Sequence, residues 1–215
     1  MRFKEVTARL RNDTLANTVL GKIIASKQDE LANLKTKVKA LPEPQPSKRS
    51  LKAALKKRKA SFIFEHKRSS PSAGKAISHH SREQIAALYG KEADAISVLC
   101  DQPFFAGSFD DLSFFSSHCQ QPILAKDFFI SRSQVRYARH MGGDAILLML
   151  SVLNDEGYRY LKEEADRLNL DVLTEVHNEE ELRRAIALDA QIIGINNRDI
   201  KNLTTDLNTT ENLLK

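Results

Sequence analysis

From Ser61 onward, six short apolar stretches alternate with segments of helical periodicity. The apolar stretches predict strands at 61–65, 95–100, 122–126, 145–150, 171–176 and 191–196. Between and after them, apolar residues three or four positions apart predict helices at about 81–92, 109–118, 131–141, 154–168 and 178–188, with a last one beginning near 207. Strands that are apolar at consecutive positions are typical of a parallel sheet covered by helices on both faces. The pattern therefore predicts an α/β fold with about six strand–helix units.

Residues 14–38 show a different pattern, which predicts a single long amphipathic helix. Its apolar side chains recur at three- and four-residue steps: Leu15, Val19, Leu20, Ile23, Ile24, Leu31 and Leu34. The prolines of PEPQP at 42–46 end this helix, because proline removes a backbone donor and disfavours helix in the preceding residue. A short basic helix is predicted at roughly 48–58. We therefore predict two parts, an N-terminal helical extension with a proline-rich and basic linker (1–60) and a barrel (61–215).

The positive charge of the chain is concentrated in one segment. Ten Lys or Arg residues and one acidic residue lie between Lys35 and Lys59, so this segment contributes +9 and the remainder −4 to the net charge of +5. No nucleic-acid-binding module or interleaved aromatic residues accompany the segment. A solvated helix face or linker is the favoured interpretation, ahead of attraction of an anionic substrate and of contact with nucleic acid or membrane. We therefore expect neither nucleic acid nor membrane as a partner.

From three further features of the sequence we expect a cytoplasmic protein. No apolar run approaches the roughly 20 residues that span a bilayer, and the first residues lack the apolar centre of a secretory signal. Cys100 and Cys119 show no metal-ligand or redox spacing, which favours reduced thiols. Cys100 is interpreted as a small core residue, and the adjacent His79 and His80 as a surface loop, so no metal site is predicted.

Polar residues follow the apolar strands at the points where the strands end. The set comprises Glu65, Lys67, Asp101, Lys126, Ser151, Glu175, Asn196 and Arg198. The carboxyl ends of the strands of a parallel barrel form one mouth, where active sites lie. Any one of these residues is explained by solvation or by a structural ion pair. As a set, however, two lysines, two glutamates and an arginine at one mouth would perturb one another's pKa values as catalytic groups do.

Six segments resemble the indole-3-glycerol-phosphate synthase family. They are FIFEHKRSSPSAG, AISVLCDQPFFAGSFDDL, PILAKDFFI, LLMLSVL, VLTEVHNEEE and IGINNRDIKNL, and they occur in family order over residues 14–215. The resemblance implies a (β/α)8 TIM barrel with an extra N-terminal segment. In the family that segment packs across the barrel mouth and helps to bind substrate; a helix that only caps the barrel or mediates dimerisation is an equal alternative.

The resemblance implies a role for each matching residue. Lys126 would be the general acid that protonates the ribulose-derived carbonyl oxygen, and Glu175 the base in the later loss of water. Glu65 would stabilise the iminium, and Lys67 would contact an anionic group of the substrate. The implied substrate-binding residues, which would hold the carboxylate, the hydroxyls and the aryl ring of a phosphosugar–anthranilate compound, are Ser70, Phe105, Phe128, Leu147, Asn196 and Arg198. Asp101 and Ser151 receive no role, and no cofactor is implied.

The family barrel has eight strands, whereas the pattern predicts six. The family's seventh-strand Ser-Glu-Ser-Gly-like stretch and eighth-strand Gly-Ser turn, which cradle the substrate phosphate, have no counterpart. The expectation is a truncated synthase with little or no activity, which could associate with itself or with a complementary C-terminal fragment. A phosphoribosylanthranilate isomerase barrel is fused to the synthase in some relatives. The alternatives are another phosphosugar barrel enzyme and a non-catalytic assembly module.

Overall fold

A computed structural model describes Leu10 and residues 18–70, 74–75, 80–199 and 204–215. Six parallel strands form one sheet: β1 (Ile63–His66), β2 (Ala95–Leu99), β3 (Ile123–Lys126), β4 (Ala145–Met149), β5 (Asp171–Val176) and β6 (Ile192–Ile195). Each strand pairs with the next in the chain. Within the described residues β1 and β6 are not paired with each other, so the sheet is an incomplete barrel wall. The α/β fold with six strand–helix units is thus confirmed.

Nine helices lie in the described part of the chain. They are α1 (Val19–Lys39), α2 (Leu51–Leu55), α3 (Arg82–Glu92), α4 (Gln102–Phe105), α5 (Phe109–His118), α6 (Arg132–His140), α7 (Asp155–Arg167), α8 (Glu179–Ala187) and α9 (Asn208–Leu213). Two short antiparallel ladders, which pair Ser69–Ser70 with Gly74–Lys75 and Arg198–Asp199 with Thr204–Thr205, follow β1 and β6. The sequence pattern did not predict α4 or these ladders, because elements of two to four residues carry too few positions to show a period.

The sequence predicts the helix starts well because most are set by side-chain caps. Ser81 and Gln84 form a capping box at α3, and Asn154 and Asn178 accept backbone N–H groups at the starts of α7 and α8. The predicted basic helix at 48–58 is wrong in length, because α2 ends at Leu55. Four consecutive basic residues follow at 56–59, and repulsion among their charges disfavours further helix there. Of the predicted helix at 14–38, residues 14–17 lie outside the described residues.

Helix α1 packs on the barrel through its apolar face. Leu20, Ile23 and Leu31 are buried in the same hydrophobic cluster as the strands β2 to β5 and the helices around them. Lys27 lies on this face too and is only 2% exposed. Its buried charge faces the loops that follow β2 and β3, at the carboxyl end of the sheet. The N-terminal helix therefore contacts the barrel at the same end as the predicted site.

One residue of the basic segment stabilises the fold, because Arg49 forms an ion pair with the buried Asp144. Nε of Arg49 lies 2.7 Å from Oδ2 of Asp144, and Arg139 lies 3.1 Å from Oδ1. Asp144 also accepts the Ser47 hydroxyl at 2.7 Å and the Ile123 backbone N–H at 2.9 Å. This carboxylate joins the linker after α1 to the start of β3.

We expect Asp144→Asn to lower the free energy of unfolding by about 2 kcal/mol in urea titration. The change removes a buried charge from several charge-assisted hydrogen bonds, each contributing about 1.5–3 kcal/mol, but the two arginines are partly exposed and can be resolvated. Asp166→Asn is the matched control, because Asp166 pairs with Lys162 at the surface and should change stability by less than about 1 kcal/mol. Equal losses in the two variants would contradict the anchoring role of Asp144.

Among the described residues, we find no helix with the length and apolar character needed to cross a membrane.

Candidate functional site

A cavity of about 500 Å³ opens at the carboxyl ends of the strands. It is lined by Lys67, Ser70, Phe105, Lys126, Phe128, Leu147, Met149, Glu175, Ile195, Asn196, Asn197, Arg198 and Thr205. Nine of the ten residues that the sequence singled out are in this lining, and the tenth, Glu65, contacts two of its lysines. The structure therefore brings the predicted site residues together at one rim of the sheet.

Glu65 and two lysines form one charged wall of the cavity. Oε2 of Glu65 accepts a hydrogen bond from Nζ of Lys126 at 2.6 Å, and Oε1 accepts one from Nζ of Lys67 at 2.6 Å. Ser97, on the strand between β1 and β3, donates to Glu65 at 3.4 Å. Burial alone would raise the pKa of Glu65, but the charge and hydrogen bond of Lys126, with those of Lys67, outweigh it and hold that pKa below its usual range.

Glu175 belongs to the same lining and lies near the end of β5. It is 8% exposed, and its Oε1 lies 3.4 Å from Nε2 of His177. Nδ1 of His177 in turn lies 3.2 Å from Oε2 of Glu181, on α8. The sequence analysis missed His177 and Glu181. Their spacing was the available signal. Glu175 and His177 are two positions apart, and residues two apart in extended chain share a face. Glu181 follows within the first turn of the next helix.

The apolar part of the cavity is formed by Phe105, Phe128 and Leu147. The two phenylalanine rings lie 6.1 Å apart between centroids. Met149 and Ile195 extend this surface and were not predicted. A slot of this kind, bounded by aromatic edges and aliphatic side chains, fits a planar aromatic ring.

Asn196, Arg198 and Ser70 supply the neutral and cationic polar groups of the lining. Oδ1 of Asn196 accepts the backbone N–H of Arg198 at 2.9 Å, and Nε of Arg198 donates to Oγ1 of Thr205 at 3.2 Å. The turn after β6 is thus held by its own side chains, with Arg198 exposed at the cavity. Ser70 is 8% exposed and belongs to the short ladder after β1.

Asp101, which the sequence left without a role, is part of a buried ion cluster behind the cavity. Nζ of Lys27 lies 2.9 Å from Asp101 and 3.0 Å from Asp127. Oδ1 of Asp101 accepts the N–H of Phe104 at the start of α4, and Asp127 accepts the N–H of Phe128. Lys27 thus fixes the two loops that carry the phenylalanines of the slot. Ser151 is buried and does not line the cavity.

A larger hollow of about 900 Å³ lies between the end of α1 and the helices α6 and α7. Its arginines are committed to ion pairs, Arg136 with the buried Glu164 and Arg132 with Glu163. Its one lining carboxylate among the described residues, Glu43, is exposed to solvent and pairs with Arg167 at 2.6 Å. Chemistry rather than size therefore identifies the smaller cavity as the candidate active site.

The smaller cavity combines groups that can transfer protons with a slot for an aromatic ligand. Ammonium groups held by Glu65 can donate, Glu175 can accept, and the apolar slot can hold a ring in the same cavity. No three His, Cys, Asp or Glu side chains within the described ranges are placed to hold a metal ion; His79 of the predicted surface loop lies outside those ranges.

The chain is similar in sequence to proteins of one family. Residues 20–215 match the family model "Indole-3-glycerol phosphate synthase". The "Tryptophan biosynthesis protein TrpCF" of Vibrio parahaemolyticus is 53% identical over 168 residues, which cover 78% of this chain and 35% of that protein. The protein of the same description from Salmonella typhi is 45% identical over 205 residues, 91% of this chain and 44% of that one. The chain thus spans less than half the length of these curated relatives.

Among solved structures, a Schiff-base-forming fructose-1,6-bisphosphate aldolase has a TM-score of 0.45 at 13% identity over 68% of each chain. This likeness is too weak to bear on function.

Proposed function

Because the chain belongs to the indole-3-glycerol phosphate synthase family, we propose that its cavity performs the ring-closing, decarboxylating step of tryptophan biosynthesis. The substrate is 1-(2-carboxyphenylamino)-1-deoxyribulose 5-phosphate, and the products are indole-3-glycerol phosphate, CO2 and water. One observation carries the proposal: a lysine–glutamate–lysine wall and a second glutamate lie on the same cavity as an aromatic slot.

The reaction needs a proton on the carbonyl oxygen, a proton on the leaving hydroxyl and removal of one carbon-bound proton, and it needs no redox step. The aryl carbon that bears the carboxylate bonds to the carbonyl carbon of the sugar chain, the carbonyl oxygen takes up a proton, and the arylamine nitrogen becomes an iminium. Loss of CO2 leaves its bonding electron pair in the ring. Loss of the new hydroxyl with a proton from the neighbouring carbon then gives the indole. The protein must supply a proton, a counter-charge, a base and a folded substrate.

Lys126 is the proposed proton donor. Its ammonium is held by Glu65 at 2.6 Å and lines the cavity. The ionised Glu65 carboxylate also offers the counter-charge for the iminium, because its pKa lies below the usual range. Lys67, on the other oxygen of Glu65, would contact an anionic group of the substrate.

Glu175 is the proposed base for the loss of water. It lies in the lining beside Leu147 and Met149, next to the slot in which we propose the aryl ring to lie. Ser70 would contact the anthranilate carboxylate, and Asn196 and Arg198 would hold hydroxyl and carboxylate groups. Both cysteines are buried and free, which fits the reducing cytoplasm in which we expect this pathway to run.

We further propose that the described chain alone turns over slowly. The strands β1 and β6 have one paired edge each within the described residues, and all four residues of β6 remain half-buried. A segment that supplies further strands, and beyond it a phosphoribosylanthranilate isomerase barrel, are the proposed missing partners.

The test mixes the 215-residue chain with an equal concentration of substrate and follows indole-3-glycerol phosphate by fluorescence. We expect slow formation of product with one CO2 per indole, below the usual enzymatic range of about 1–10³ s⁻¹. An analogue whose carbonyl is reduced to an alcohol cannot close the ring and should compete. Failure both to form product and to bind this analogue would contradict the proposal, and full turnover would contradict the expected slow rate.

The alternative function is a non-catalytic assembly module, which is favoured by the edges of β1 and β6 that have no strand partner among the described residues. Size-exclusion chromatography with light scattering separates the two. A mass near 24.2 kDa is expected for the catalytic monomer, whereas a stable dimer without product formation would support the module.

A further inference from the structure

His177 lies between two carboxylates at the edge of the cavity. Its Nε2 is 3.4 Å from Oε1 of Glu175, and its Nδ1 is 3.2 Å from Oε2 of Glu181. The side chains of His177 and Glu175 are each 10% exposed and that of Glu181 is 2% exposed. The three groups therefore interact with little screening by water.

The hydrogen bonds around Glu181 determine where the imidazole carries its protons. Oε2 of Glu181 accepts the backbone N–H of His177 at 2.8 Å, and an ionised carboxylate can only accept, so Nδ1 must donate to it. A neutral ring of this tautomer would turn the lone pair of Nε2 toward an oxygen of Glu175. The doubly protonated ring instead places a positive charge 3.4 Å from that oxygen, so a repulsive contact becomes an attractive ion pair.

Three acidic groups act on the ring from three elements: Glu175 on β5, Glu181 on α8 and Asp199 after β6. Burial lowers the pKa of His177, but the hydrogen bond that its ring donates to Glu181 and the charges of Glu175, Glu181 and Asp199 outweigh this effect. The pKa of His177 is thus raised above 6.5.

We propose that His177 is a positioning residue: as an imidazolium it joins Glu175 to Glu181 and keeps the Glu175 carboxylate at the cavity. The role of Glu175 as base rests on the proposed function; the linkage itself does not. Without the positive ring, two mostly buried carboxylates would face each other across its space. They would then repel each other, which favours rotation of Glu175 away from the orientation in which it lines the cavity.

The surroundings of Glu181 explain why this linkage can fix an orientation. The N–H of Glu181 donates to Oδ1 of Asn178 at the start of α8 at 2.9 Å, and the residue is 1% exposed. Glu181 is therefore a fixed anchor. Because His177 contacts both carboxylates, the fixed position of Glu181 also restricts the position of Glu175, which lines the cavity.

The first test is a titration of the imidazole carbons by NMR on the folded chain, with the signal of His177 assigned by its loss in His177→Gln. We expect a midpoint above 6.5 that falls by about one unit or more in Glu175→Gln and in Glu181→Gln. The signal of His140, on α6, should stay unchanged. A His177 midpoint at or below 6.5, or one that does not change in Glu175→Gln, would overturn the proposal.

The second test follows the carboxyl carbon of Glu175 with labelled glutamate. At neutral pH the chemical shift of this carbon should move in His177→Gln, because the neighbouring positive charge is lost. His177→Asn is a second variant if the first folds poorly, and His140→Gln is the control. A chemical shift that stays unchanged in a folded variant would overturn the linkage. Neither NMR test requires turnover. A chain without synthase activity would therefore refute the proposed function, whereas these two measurements alone decide the present proposal.

Discussion

Replacing Lys126 by alanine is expected to slow formation of indole-3-glycerol phosphate by about 10²–10⁴-fold in a single-turnover experiment. The reason is that ring closure turns a carbonyl oxygen into an alkoxide, and Lys126 is the proposed donor of the proton that this oxygen takes up. Its ammonium lines the cavity, and Glu65 fixes its position at 2.6 Å. Affinity for the analogue with a reduced carbonyl should change by only a few fold, because that molecule develops no negative charge. A large loss of rate with little loss of binding identifies an interaction made in the transition state.

Two further variants separate proton transfer from charge. Lys126→Arg keeps the positive charge but introduces a group that is always protonated, so it should be nearly as slow as Lys126→Ala. Lys57→Ala removes an exposed lysine from the basic segment and should leave the rate unchanged. Near-normal activity of Lys126→Arg would show that the charge alone acts. A loss of only a few fold in Lys126→Ala would contradict the role of Lys126 as the acid.

The sequence predicted those parts of the molecule that depend on local pattern. Strands apolar at consecutive positions are buried on both faces, so β2 and β4 were recognised from their composition, and both are fully buried. Because parallel strands end at one mouth, Glu65 and Lys126 could be predicted to be neighbours although 61 residues separate them. The resemblance to a family then added Phe105 and Leu147, whose residue types alone point to no function.

The sequence did not predict the buried ion pairs that hold the loops of the cavity in place. Lys27 lies 74 residues before Asp101 and 100 before Asp127, and no periodic pattern connects such positions. A signal was nevertheless present, because Lys27 falls on the same helical face as Ile23 and Leu31, where an unpaired charge would be costly. The pairing of His177 with Glu181 was missed for a related reason, since it depends on how a helix start approaches a strand end.

Replacing Lys27 by methionine is expected to lower the free energy of unfolding by about 3–5 kcal/mol at neutral pH. The side chains of Lys27, Asp101 and Asp127 are at most 3% exposed, so removal of the cation leaves two adjacent carboxylates with no solvent to screen them. Burial lowers the pKa of Lys27, but the charges of Asp127 and Asp101 outweigh this effect and raise the pKa above its usual value. The two aspartates therefore favour the charged form of the amine. Lys22→Met, an exposed position on the same helix, should change stability by less than about 0.5 kcal/mol.

The loss of stability in Lys27→Met should depend on pH in one direction. Burial already raises the pKa of Asp127 in the intact protein, and without Lys27 its neighbour Asp101 raises it further. A carboxyl whose pKa is higher in the folded chain stabilises the fold when protonated, and that contribution disappears as the pH rises through the folded-state pKa. Urea titrations should therefore show a smaller deficit near about pH 4 than above about pH 7. Adding Asp127→Asn to the variant should remove most of this pH dependence by eliminating one charge. A deficit that is the same at every pH, or that grows on acidification, would show that Lys27 acts through packing of its alkyl chain and not through its charge.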